Sequence, residues 1–194
     1  LLSGMERGTV LQAAELLAKL RTLKLNERER RHAAAIACLI DGAFNRASER
    51  LDDILIDDPH DIVALQVGHL IDFFRGDSRN LRDRVARVLP EWGEQMPGFH
   101  TLLGMHAFGL EEMGDYARAE DRARHALHLN KRDGWAHHAI AHVMEMMGRY
   151  DEGATYMRDN EAGWAPESFF QVHNWWHLAL FRLEADQTAE VLKL

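Results

Sequence analysis

Gly8, Gly42, Gly76, Gly114 and Gly148 stand 34, 34, 38 and 34 residues apart in a chain of 194 residues. A period in this range commits a chain to a row of similar small units, each able to bury its apolar face only against its neighbours. Other residues keep the same register. Phe44, Tyr116 and Tyr150 lie two after their glycine, and Ala13, Ala47, Ala119 and Gly153 lie five after. Ala35, Ala107 and Ala141 lie seven before, a series that His69 breaks. Small side chains at both places let two chain segments approach closely.

The segments between breakers carry apolar residues three and four apart, as in "DYARAEDRARHALHLN", and show no strand-like alternation. Pro59, Pro90, Pro97 and Pro166 all fall between helix pairs, where a missing amide hydrogen does no harm. The patterns predict helices over 9–24, 28–41, 44–56, 61–75, 79–89, 99–113, 116–129, 134–147, 150–162 and 170–184, with ends good to about 2–4 residues. The surplus of the longer interval sits in "LPEWGEQMPG", a loop. "ERERR" (27–31) reads as a solvated helix start, its acids favoured there by the helix dipole.

A period of 34 built from helix pairs resembles the tetratricopeptide repeat, with its small residue on each helix, aromatic after the central glycine and terminal proline. "GAFNRASERLDDILIDDP" (42–59) and "GDYARAEDRARHAL" (114–127) carry that pattern. The resemblance implies an all-α, right-handed superhelical solenoid of about five antiparallel helix pairs, one domain over 1–194. The blocks "DPHDIVAL", "LRDRVARVLPEW", "FGLEEMGDYARAE", "WAHHAIAHVMEM" and "HNWWHLALF" are similar, in order and spacing as well as residues, to the tetratricopeptide repeat protein 38 family. Members of that family extend beyond both ends of this chain. The likeness therefore implies an internal fragment, with "DQTAEVLKL" opening a cut hairpin. An apolar end left uncovered would favour self-association through the terminal helices.

Charge narrows the partners. The 23 Lys and Arg are scattered among 31 Asp and Glu, for a net charge of -8, so no basic stripe is available for a phosphate backbone. No apolar run approaches a membrane span, and "LLSGMERG" lacks the order of a secretory signal. Lone Cys38, read as a small buried thiol, can form no internal disulfide, which fits a reducing, cytoplasmic setting.

Two histidine pairs carry the functional question. His138 and His142 in "HHAIAHVME", and His173 and His177 in "HNWWH", each project from one face of a helix. With 12 histidines, random placement gives about 0.7 pairs of this spacing, so their position matters more than their number. His138, His142 and Glu145 share an arc apart from Ile140, Ala141, Met144 and Met147, which read as core. By the repeat resemblance, the first helix of each unit lines a concave groove mainly through its second, fifth, ninth and twelfth positions. Taking Gly134 as the first position puts His138, His142 and Glu145 at the fifth, ninth and twelfth. Taking Asp186 as the next turn puts His173 and His177 at the second and sixth.

In peptide-binding repeats such positions hold basic and amide side chains that clamp a terminal carboxylate. Neutral imidazole offers one donor and one lone pair, so that clamp does not carry over. Four imidazoles offer instead a first shell for zinc, manganese or iron, with Glu145 as fifth ligand, acceptor behind a ligand, or base. Histidines satisfied by carbonyls or water, and metal-free contact with a substrate or peptide, stay open beside that reading. "HAIAH" lacks the glutamate of zinc proteases, and "HVME" reverses the order found in di-iron bundles.

Two functions follow. One is a scaffold that binds a peptide, protein or small molecule in its groove, with Trp176, Phe108 and Glu145 as contacts. The alternative is a metal-dependent, hydrolase-like enzyme with Glu145 as its catalytic residue. Trp175, His137 and His106 are expected in the core, His125 and His128 on the outer surface, and Glu111 and Glu112 solvating a helix end.

Overall fold

The structure, a computed structural model, describes residues 7–194, and all their regular elements are helices. The reading of "LLSGMERG" falls mostly on residues 1–6, outside the described residues. None of the described helices is long and apolar enough to cross a membrane. The chain divides into two compact units between Trp92 and Gly93.

The first unit holds α1 (Arg7–Leu20), α2 (Glu27–Ile40), α3 (Phe44–Asp57), α4 (Ile62–Phe74) and α5 (Ser78–Val88), followed by a 3-10 turn at Leu89–Glu91. The charged run opens α2 as expected, because Asn26 and Glu29 cap one another's amides. Gly42 and Gly76 join α2 to α3 and α4 to α5 with φ of +71° and +65°. That left-handed conformation ends a helix and costs glycine little. Gly8 departs from the ruler, lying inside the first turn of α1. Cys38, expected in the core, is half-buried and free.

Buried aspartates fix where helices begin. Asp61 accepts from the Ala64 amide at the start of α4 while Arg28 and His32 donate to its other oxygen at 2.6 and 2.8 Å. Burial pushes this carboxyl up, yet the combined hydrogen bonds outweigh it and bring the pKa down to about 2. Around Ala47, Leu51, Leu65 and Val85, the core also encloses Arg84. Its guanidinium donates to Asp72 at 2.8 and 3.1 Å, to Ser48 at 2.6 Å, and to Asp52. A Cβ on Gly68 would stand 2.7 Å from Arg84 Nε, so α4 carries a glycine where the guanidinium passes.

The second unit holds α6 (Phe99–Glu111), α7 (Tyr116–Leu129), α8 (Gly134–Met146), α9 (Tyr150–Asp159), the single turn α10 (Glu161–Trp164), α11 (Gln171–Glu184) and the single turn α12 (Thr188–Val191). Gly114 and Gly148 turn with φ of +78° and +67°, and Asp186 takes the same left-handed place at +58°. The next mark of the ruler is thus an aspartate, a residue that tolerates this region better than most. Asp133 caps α8 through the Ala136 amide and holds His100 at 2.6 Å, as Asp61 does for α4 and its basic partners. A Cβ on Gly153 would lie 2.6 Å from the Phe181 ring, so α9 and α11 pack closely there. Every predicted helix is present, with ends within about one turn of those expected.

Candidate metal centre

The centre lies wholly in the second unit, on α6, α8 and α11. Helix α8 packs against both α6 and α11, so nearly all its length is buried, His137 and His138 included. The buried stripe of α11 is Asn174, His177, Leu178 and Phe181. One ring nitrogen each from His138, His142, His173 and His177 lies within 4.8 Å of the other three. The two pairs meet. His138 and His177 are buried, His142 is half-buried and His173 is exposed, so the cluster reaches the surface on one side.

The edges facing inward are identifiable. His177 Nε2 lies 3.0 Å from His173 Nε2, while His177 Nδ1 donates to Glu145 Oε2 at 2.9 Å. Glu145 therefore stands behind His177, away from the edge that meets His173. On the other pair, His142 Nδ1 lies 3.2 Å from Glu111 Oε2. That approach is too oblique for a hydrogen bond, and Glu111 Oε2, His142 Nε2 and both ring nitrogens of His138 are buried with no hydrogen-bond partner. Several unsatisfied polar atoms in one spot are costly and call for a physical reason.

Glu111 corrects the sequence reading. Expected to solvate the end of α6, it is buried because α8 covers that end. The signal was present in the ruler: Glu111 and Glu145 are 34 residues apart, and each backs a histidine of the following helix pair. Glu112, beside it, is exposed and forms with Glu111 and His142 a second group of ligand atoms within 4.8 Å of one another. Phe108, expected on a groove surface, is fully buried under α8. Its ring lies 4.8 Å from His138 and 5.4 Å from His142, and Phe170 stacks on His138 from 4.7 Å. Trp176 is 60% exposed.

Other expectations divide. His137 is buried, bonded to the Tyr156 hydroxyl and the Lys131 carbonyl, and His106 is buried too. His125 meets Glu94 on the surface. Trp175 is only half-buried, edge-on to Trp164, with Arg158 over its ring. Asn174 takes the core position instead, its amide atoms without partners.

Burial, then the neighbouring imidazoles, pushes protonation of His138 well down, and the same causes bring His173 to about 4. Burial likewise lowers His177, opposed by its bond to Glu145, which in turn holds the Glu145 carboxyl below its usual range. An unfolded chain takes up these protons near pH 6.5. Between that pH and about 4 the unfolded state binds protons that the folded state refuses, so stability falls as pH drops through this window. Above it both states are neutral. Urea midpoints of metal-free protein should therefore be level from pH 8 to 7 and fall steadily toward pH 4; a level profile down to pH 4.5 would remove the cluster from the account.

Chemically, His177 is held as metal-ligating histidines are, with one ring nitrogen inward and the other bonded to a carboxylate that fixes its tautomer, while Glu111 lies behind His142 without a hydrogen bond. No protein-family profile matches the chain. Solved structures do. A tetratricopeptide repeat protein from Parabacteroides merdae is 16% identical, covers 96% of this chain and 71% of its own, and superposes with a TM-score of 0.68. A crystal structure of MamA is 13% identical over 86% of each chain at a TM-score of 0.61. MamA of MSR-1 is 21% identical over 82% of this chain and 91% of that one, at 0.56. The fold is thus that of the tetratricopeptide repeat, an all-α array of helix pairs.

Proposed function

We propose that the second unit holds one divalent first-row cation on His138, His142, His173 and His177, with Glu145 and Glu111 orienting two of the ligands from behind. Convergence of the four imidazole edges carries this reading. Neutral imidazole suits zinc and iron better than the oxygen-loving manganese also expected from sequence. The cation would satisfy His142 Nε2 and one of the two buried nitrogens of His138, which otherwise lack partners.

Around that centre the protein serves as a repeat scaffold of the tetratricopeptide repeat protein 38 kind, taking a peptide, protein or small ligand. Its fold and acidic balance support this, as does the exposed stripe of Val172, Trp176 and Leu183 on α11, a surface also suited to self-association. The hydrolase alternative draws less support, since Glu145 lies behind His177 and not on its inward edge.

Protein purified without an affinity tag should carry one equivalent of metal by elemental analysis, and His142→Ala should abolish it. Glu145→Gln, which leaves the four ligands in place, should weaken metal affinity about 10–100-fold in competitive titration. Unchanged affinity in Glu145→Gln would deny the carboxylate its role, and metal-free wild-type protein that takes up no added cation would end the reading.

A further inference from the structure

The spacing of the imidazole rings distinguishes a closed site from one with room for another ligand. With metal–nitrogen bonds of 2.0–2.1 Å, a ring centroid stands about 3.2 Å from the cation. Tetrahedral ligation then puts all six centroid pairs about 5.2 Å apart, whereas right-angle neighbours stand about 4.5 Å apart and opposed rings about 6.4 Å. The observed separations are unequal. His138–His142, His142–His177, His173–His177 and His138–His173 measure 4.4, 4.6, 4.6 and 4.8 Å, all near the right-angle value. His142 and His173 are 6.3 Å apart, as opposed rings are. His138 and His177, at 5.4 Å, match neither limit. They match two rings at 120°, which stand about 5.5 Å apart.

Four near-right angles, one opposed pair and one pair near 120° describe a trigonal bipyramid with a vertex missing. His142 and His173 take its two poles, and His138 and His177 two of its three equatorial places. Resting on the cation reading above, we infer that the centre is five-coordinate and that its third equatorial position takes an exogenous small oxygen or nitrogen donor, such as water, hydroxide, azide or a carboxylate. Closed tetrahedral ligation belongs to structural zinc, while a vacant position is the mark of a reactive centre. The two carboxylates behind the ligands offset the charge of a divalent cation, so a neutral or singly charged donor fits better than a multiply charged anion.

Cobalt(II) loading of the full chain tests this, because its visible absorption reports coordination number. Uptake of one cobalt in equilibrium dialysis, with weak bands of five-coordinate type that shift saturably on titration with azide, is the expected result. His173→Ala frees a pole as well, so any cobalt it retains should also respond to azide. One bound cobalt with intense tetrahedral bands that azide leaves unchanged would overturn the vacant position while leaving the cation site standing. No cobalt uptake would overturn both.

Discussion

Saturating the protein with zinc should stabilise the second unit by about 4 kcal/mol when free metal reaches a thousand times its dissociation constant, since only the folded state presents the four nitrogens together. The gain should be concentrated in α11. That helix reaches α8 through His173 and His177, and in metal-free protein the contact leaves buried imidazole nitrogens of α8 without partners. Amide exchange across 171–184 should therefore slow on loading, and calorimetry should show a matching rise in the melting temperature. His142→Ala should lose both responses. If zinc altered neither exchange nor melting in the wild type, α11 would be held by packing alone.

The second large effect is expected in the first unit, where Arg84→Ala should cost about 3–5 kcal/mol by depriving buried Asp72 of its hydrogen-bonded cation. Burial already pushes the Asp72 carboxyl up, against the opposing hydrogen bond from Arg84. Removing that bond leaves a desolvated acid with Ser48 as its hydrogen-bond donor and only the longer ion pair to Arg75, at 3.7 Å. Replacing both members with apolar residues, as in Arg84→Met with Asp72→Leu, should recover much of the loss, because burying two charges is itself costly. Chemical denaturation of the single and double variants measures this. A double variant no more stable than Arg84→Ala would show that the network contributes more than the pairing of two charges.

The sequence made the fold legible because its signals are local and repeated. A left-handed glycine ends the first helix of a pair at 42, 76, 114 and 148, and small residues follow at 47, 119 and 153 wherever helices pack close. Gly8 failed as a mark because a glycine can also sit inside a first helical turn, and no spacing rule separates the two uses. At the site, i, i+4 pairing and repeat register located the four histidines. They could not reveal that α8 covers Phe108 and Glu111, since burial there depends on which faces two helices of successive helix pairs share. Asn174 escaped for the same reason: its neighbours Trp175 and Trp176 are larger and more apolar, yet the rotation of α11 turns the asparagine inward.

X-ray absorption at the metal edge of zinc-loaded protein addresses the central claim most directly. The account predicts four imidazole nitrogens at about 2.0–2.1 Å, with the outer-ring scattering that histidine ligands produce, lost in His142→Ala. A shell of oxygen donors without that outer-ring scattering, or the same spectrum in wild type and variant, would contradict it.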